Sequence, residues 1–281
     1  MYQKFFNLVE IPYSLSPDPR YLYLTSQHRE AIAKCQYIIK QKGGLAVVYG
    51  DIGSGKTSIT RRLFTLYKDN SKFQIAMIVN PNPGTKRALS EKAFLRNILA
   101  EFEGQLKRSH GKNMIELQEL VTQTFQANKI LLLLIDEAQQ LSKSMIEVIR
   151  SMLNFETDKE KLIQIILFGQ NELATTLDTI PAVKSRVAMF GALSSLNLKD
   201  TREMIQFRWK VAGGGNLPFS LRSVEEIWSL SQGLPRGICK LCNESLIKAF
   251  VVKEKKVTLA MVKSAAKELR MKKKEGKNGK K

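Results

Sequence analysis

Gly50-Asp51-Ile52-Gly53-Ser54-Gly55-Lys56-Thr57 fits the spacing G-x-x-x-x-G-K-[ST]. Each residue type has a reason to be there. Glycines let successive backbone N–H groups turn inward toward one anion, and a helix N-terminus adds a positive field. A lysine at this place reaches the β and γ phosphates of a nucleotide, and the hydroxyl after it can hold a magnesium ion. Ser58 follows on the same helix start. The candidate nucleotide-binding set is therefore Gly50, Asp51, Gly53, Ser54, Gly55, Lys56, Thr57 and Ser58. The plainer alternative is a glycine-rich turn between a strand and a helix. Against it, Leu45–Tyr49 reads as a buried strand, and the stretch from Lys56 has apolar positions at Ile59, Leu63 and Leu66, a helical spacing.

A second stretch points the same way. Ile130–Ile135 is an unbroken apolar run, too short to span a membrane and suited to a strand buried on both faces. Asp136 and Glu137 follow at its carboxyl end. In an open α/β sheet that edge is where ligands bind. Asp136 is expected to complete the shell of a magnesium ion held by Thr57. Glu137 is expected to orient and polarise an attacking water. Together the two motifs imply hydrolysis of a nucleoside triphosphate, with ATP and Mg2+ as cofactors.

These residues need a sheet to hold them, and the pattern supplies one. Strands are predicted at 45–49, 73–79, 130–135, 162–168 and 189–193. Helices are predicted at 26–42, 56–67, 89–104, 114–127, 142–155 and 171–178, with a turn at Pro181. This β–α alternation implies an α/β fold, a mostly parallel sheet with helices on both faces. From about residue 199 the pattern is helical only, at 200–211, 222–230, 235–252 and 258–270. Four regions are expected. Residues 1–42 form an aromatic- and proline-rich segment and helix packing on the core. Residues 43–198 form the nucleotide-binding α/β domain, residues 199–270 a small helical lid, and residues 271–281 a basic tail without fixed structure.

The 281 residues are 43% hydrophobic, enough for a sizeable core, and carry a net charge of +19. The tail MKKKEGKNGKK accounts for six lysines and one glutamate, so most of the excess lies elsewhere. A charge of that size implies a polyanionic partner, nucleic acid or an anionic surface. Three cysteines give no disulfide framework. Cys239 and Cys242 have no second pair to complete a zinc site and read as buried residues of one helix. The N-terminus lacks an apolar leader, and no apolar run approaches 18 residues. The expectation is a reduced, cytoplasmic protein without a membrane segment.

An α/β nucleotide-binding unit followed by a helical lid resembles the AAA+ ATPases. The stretches FFNLVEIPYSLSPDPRYLYLTSQHREA, GDIGSGKT, LLLIDEAQQL, LFGQNEL and GLPRGICKLCN resemble the ExeA/TnsC group of bacterial AAA+ P-loop NTPases, to which MuB is related. The resemblance runs in order over about residues 1–265. It implies a regulator of DNA transposition that binds ATP, self-associates into a ring or helical filament of six or seven subunits per turn on double-stranded DNA, and works with a transposase and a target-selector protein. Other roles within the group are an ExeA-type secretion ATPase, which is expected to bring a transmembrane helix and a periplasmic domain, and an ATP-gated DNA-binding scaffold with little turnover. The resemblance also extends the catalytic set. Gln170 takes the place of sensor 1, with helix capping as its alternative. Arg186 takes the place of an arginine finger, with a surface arginine at a helix end as its alternative. Arg236 takes the place of sensor 2. Asn80 is either a gate on Glu137 or a loop-capping residue. Lys86, Arg87 and Lys143 are the candidate DNA-binding residues.

Overall fold

The computed structural model describes residues 2–16, 18–82 and 89–271. They fold as two compact units. One comprises Ser26–Gly50 and Lys56–Leu193; the other comprises the described residues of Met1–Thr25, Asp51–Gly55 and Ser194–Lys281.

In chain order, a short N-terminal helix α1 (Tyr2–Phe5) precedes α2 (Ser26–Gln41), β1 (Leu45–Gly50), α3 (Lys56–Tyr67) and β2 (Phe73–Ile78). Next come α4 (Glu91–Glu101), α5 (His110–Gln126), β3 (Ile130–Ile135), a 3₁₀ turn at Ala138–Gln140, α6 (Lys143–Met152) and β4 (Ile163–Gly169). The α/β unit closes with α7 (Asn171–Asp178), α8 (Pro181–Lys184) and β5 (Val187–Leu193). Helices α9 (Leu198–Val211), α10 (Leu221–Ser231), α11 (Pro235–Val251) and α12 (Leu259–Glu268) follow.

The five strands form one sheet in the order β2-β3-β4-β1-β5, parallel throughout. Alternate strand residues serve opposite faces, as the period of two requires. Leu45, Val47, Leu131, Leu133, Ile165 and Leu167 pack with α4, α5, α6 and α7. Ala46, Val48, Leu132, Leu134, Ile166 and Phe168 pack with α2 and α3. This two-sided burial is why β3 reads as an unbroken apolar run, and β4 as one interrupted only by the buried Gln164, rather than as alternating strands.

Boundary differences have local causes. Helix α5 begins at His110, earlier than the predicted 114, because the Ser109 side chain accepts from the Lys112 N–H and caps the first turn. The turn at Pro181 is a four-residue helix with the proline in its first turn, where a missing N–H is harmless.

In the helical unit, α9–α12 share a core with the N-terminal segment. Phe6 meets Trp209 edge-to-face at 5.8 Å between ring centroids. The Tyr13 hydroxyl donates to the Ile205 carbonyl at 3.0 Å, and the Tyr2 hydroxyl donates to Asn243 Oδ1 at 2.6 Å. The aromatic segment and the helix after it, expected to pack as one piece on the core, therefore part company after Thr25. The reason is partner chemistry: α9 and α11 offer buried aromatic surface and carbonyl acceptors to the tyrosines, while α2 packs on the sheet. Cys239 and Cys242 are buried in α11, and burial pushes both thiols up. Among the described residues no helix is long and apolar enough to cross a membrane.

Candidate nucleotide site

β1 ends at Gly50, where a Cβ would lie 2.2 Å from the Leu193 carbonyl oxygen of β5. Only glycine fits that close approach. The chain then runs through residues 51–55 and enters α3 at Lys56. Gly53 and Gly55 hold φ of +81° and +106°, a region that a side chain strongly disfavours. Within the loop, the Ser54 N–H donates to the Asp51 carbonyl at 3.1 Å. A Cβ on Gly53 would stand 2.8 Å from Cβ of Arg236, so the second residue of α11 rests directly on this loop.

Lys56 is buried, and its Nζ donates to the Gly50 carbonyl at 2.8 Å. The ammonium is thus held over the end of its own strand. The Thr57 hydroxyl is hydrogen-bonded to the Asp136 carboxylate, which arrives at the carboxyl end of β3. Asp136 is 2% exposed. Burial raises its pKa, and the Thr57 hydrogen bond, the Glu137 N–H (3.0 Å to Oδ1) and the Lys56 charge oppose the shift. One hydroxyl and one carboxylate make an all-oxygen donor pair. That suits Mg2+, which keeps several waters and takes its remaining ligands from phosphates.

Glu137 sits in the left-handed region, at φ 52° and ψ 34°. An uncommon conformation for a residue with a side chain is found where structure elsewhere over-determines it. Its Oε2 accepts from Gln139 Nε2 at 2.6 Å, and Gln139 Oε1 accepts from the Gln170 N–H at 3.0 Å. Gln170 is the N-cap of α7, yet its side chain makes no capping bond. Asn80 caps its own loop, its Oδ1 accepting from the Asn82 N–H at 3.0 Å.

Lys56, Thr57, Asp136, Glu137 and Gln170 therefore meet along the carboxyl edge of β1, β3 and β4. Arg186 does not join them. It precedes β5 at the amino edge of the sheet, where its guanidinium donates to the Ala182 carbonyl at 2.7 Å and to Asn154 Oδ1 at 3.3 Å. Lys143 is the exposed first residue of α6 and borders a shallow cavity of about 510 Å³ with Asn171 and the α7 threonines Thr175, Thr176 and Thr179. Lys86 and Arg87 lie outside the described residues. Gln139 was missed by sequence reasoning; the signal available was an amide two residues beyond Glu137.

Known proteins resemble this chain in sequence and in fold. Residues 39–177 match the AAA domain family. The chain is 33% identical over 273 residues to the general secretion pathway protein A of Aeromonas hydrophila, covering 96% of this chain and 48% of that protein. It thus spans about half the length of this relative. Among solved structures, the ORC2 protein of Aeropyrum pernix in its ADPNP–ADP complexes superimposes with a TM-score of 0.66 at 17% identity, over 92% of this chain and 70% of the other. The ORC1 protein of Aeropyrum pernix in complex with DNA gives 0.67 at 17%, over 92% and 69%. With the two phosphate-side motifs on one edge of a parallel sheet, the chain carries an AAA domain and is, in fold, an AAA+ P-loop ATPase.

Proposed function

We propose that the chain binds Mg2+·ATP through the Gly50–Ser58 stretch and Asp136, turns it over with Glu137 as the base for water, and couples the nucleotide state to self-association on duplex DNA. The observation that carries the nucleotide half is the Thr57–Asp136 hydrogen bond beside the buried Lys56. Lys56 would neutralise phosphate charge. Thr57 and Asp136 would hold the metal, which supplies charge neutralisation to the transferring phosphoryl group. Gln170 and Arg236 would read the γ-phosphate, and Arg186 would serve a neighbouring copy.

The DNA half rests on the net charge of +19 and on the sequence resemblance to TnsC-like proteins. Phosphate neutralisation by lysine and arginine is sequence-blind and salt-dependent. Lys86, Arg87 and Lys143 are the proposed contacts. In this reading the biological role is regulation of DNA transposition, with a transposase and a target selector as partners. Electron microscopy of the protein with ATP and duplex DNA, beside an ADP control, tests it. Rings or filaments enclosing DNA with ATP alone are expected.

A second reading, a secretion-associated ATPase, is favoured by the match to general secretion pathway protein A. It predicts ATP-dependent assembly that is indifferent to duplex DNA. The same grids separate the two.

A further inference from the structure

We infer that Gln139 is the positioning residue for Glu137, fixing the base for water to the strand end that carries Gln170. The inference rests on Glu137 being that base. Its argument starts from the amide. A backbone N–H can only donate, so the Gln170 N–H at 3.0 Å must face the oxygen of the Gln139 side chain. The nitrogen then has one direction left, toward Glu137 Oε2 at 2.6 Å. A single side chain thereby presents a donor to the carboxylate because its other end is occupied by the main chain of β4's exit. Hydrogen bonds to an ionised partner are the stronger kind.

The backbone of Gln139 is itself fixed. It follows Glu137 in the short 3₁₀ turn, and a Cβ on Gly169 would lie 3.1 Å from the Gln139 nitrogen. The turn is pressed against the last residue of β4, so the amide has a rigid mount. Asn80, the other polar candidate for contacting Glu137, is engaged in its own loop. Glu137 holds a left-handed backbone, which aims its side chain along a path unlike that of its neighbours; Gln139 fixes where that path ends.

The consequence is a split between binding and chemistry. The Gln139 amide is engaged by Glu137 Oε2 and the Gln170 N–H, so it acts on nucleotide through Glu137. The test measures turnover, KM for ATP, ADP affinity and melting temperature for Gln139→Ala, Gln139→Glu, Glu137→Gln and the double variant Gln139→Ala/Glu137→Gln. For Gln139→Ala, kcat should fall by about 10- to 100-fold, the scale of a misplaced reacting group. KM and ADP affinity should stay within about two-fold. Gln139→Glu keeps size and shape and can still accept from the Gln170 N–H, but it sets a second carboxylate against Glu137, so its kcat should fall at least as far. The double variant should be no slower than Glu137→Gln alone, because Gln139 then has no base left to position. Wild-type kcat in both Gln139 variants, with Glu137→Gln slow, overturns the inference alone. A double variant slower than Glu137→Gln by the full Gln139→Ala factor also overturns it, since Gln139 would then act elsewhere. Wild-type turnover by Glu137→Gln overturns the assignment of the base and this inference with it.

Discussion

At the carboxyl edge of the sheet, the side chains of Thr57, Asp136, Glu137 and Gln139, from the exits of β1 and β3, and the Gln170 N–H at the exit of β4 are linked by hydrogen bonds to one another or to shared partners. At the amino edge, Arg186 is held by a helix carbonyl and an asparagine. The six residues of β1 separate the two edges by roughly 20 Å. No arginine side chain spans that distance. If Arg186 touches a nucleotide, the nucleotide belongs to another copy. The carboxyl edge gathers its polar groups around one strand-end site, and Arg186 at the amino edge stands apart from them.

The largest effect is expected where that division is sharpest. Lys56→Ala removes the buried ammonium at the carboxyl edge and should abolish measurable ATP binding in a calorimetric titration while circular dichroism stays unchanged. Wild-type affinity would mean that the Gly50–Ser58 stretch is a structural turn. Next comes Glu137→Gln. It keeps the Gln139 contact's shape but loses the base, so turnover should drop by about 10²–10⁴-fold with ATP affinity retained. Unchanged turnover would place the base elsewhere.

Much of the carboxyl edge was legible in the sequence because its chemistry is local. The phosphate loop and the acidic strand each announce themselves within ten residues, and burial on both faces writes a strand as an apolar run. Helix α7 was read with its observed bounds because Gly169 and Gln170 end the apolar strand just before Asn171 opens the helix. What was hidden depends on contacts distant in sequence. Tyr13 finds Ile205, and Tyr2 finds Asn243, across most of the chain. No periodicity within residues 1–25 says which unit will bury those rings. Gln139 was hidden for another reason: an amide is chemically bland until a main-chain N–H fixes which end faces the carboxylate.

The amino edge is sharpened by mixing variants. Arg186→Ala alone should slow turnover by about 10²–10³-fold, the scale of removing one preorganised stabiliser of transition-state charge. Combined with Glu137→Gln protein, some activity should return, because a wild-type Arg186 from one subunit can then face an intact Glu137 on the other. Absence of rescue across all mixing ratios, with co-assembly verified by light scattering, would count against action between copies.

A smaller effect is expected on DNA. Each phosphate neutralised contributes about −0.9 to the slope of log affinity against log salt. Lys86→Ala with Arg87→Ala should therefore flatten the slope by roughly 2 and weaken binding alike on unrelated duplexes, read by fluorescence anisotropy over a salt series. Removal of residues 271–281 should weaken binding less, since most of the net charge lies outside that tail. The reverse ranking would make the tail the main electrostatic anchor.

The smallest expected effect returns to the carboxyl edge and concerns stability rather than rate. Burial raises the Asp136 pKa, so the folded protein binds this proton more tightly than the unfolded chain does. Stability therefore falls as pH rises through the window between the ordinary carboxylate value near 4 and the raised value, and the loss persists above it. Asp136→Asn removes the charge and keeps an oxygen to accept from the Glu137 N–H. At neutral pH, without nucleotide or magnesium, the variant should melt higher than wild type, by about 2–4 °C for each kcal/mol recovered. The difference should shrink to nothing in acid, where wild-type Asp136 is protonated as well. Saturating Mg2+ and ATP should reverse the order, because only the carboxylate has a cation to hold and ligand binding stabilises the state that binds. Scanning calorimetry at two pH values, with and without Mg2+·ATP, reads all four conditions. If Asp136→Asn melts lower than wild type without ligand at neutral pH, the hydrogen bonds from Thr57 and Glu137 outweigh the cost of burial, and the carboxyl edge is not held at a cost to stability.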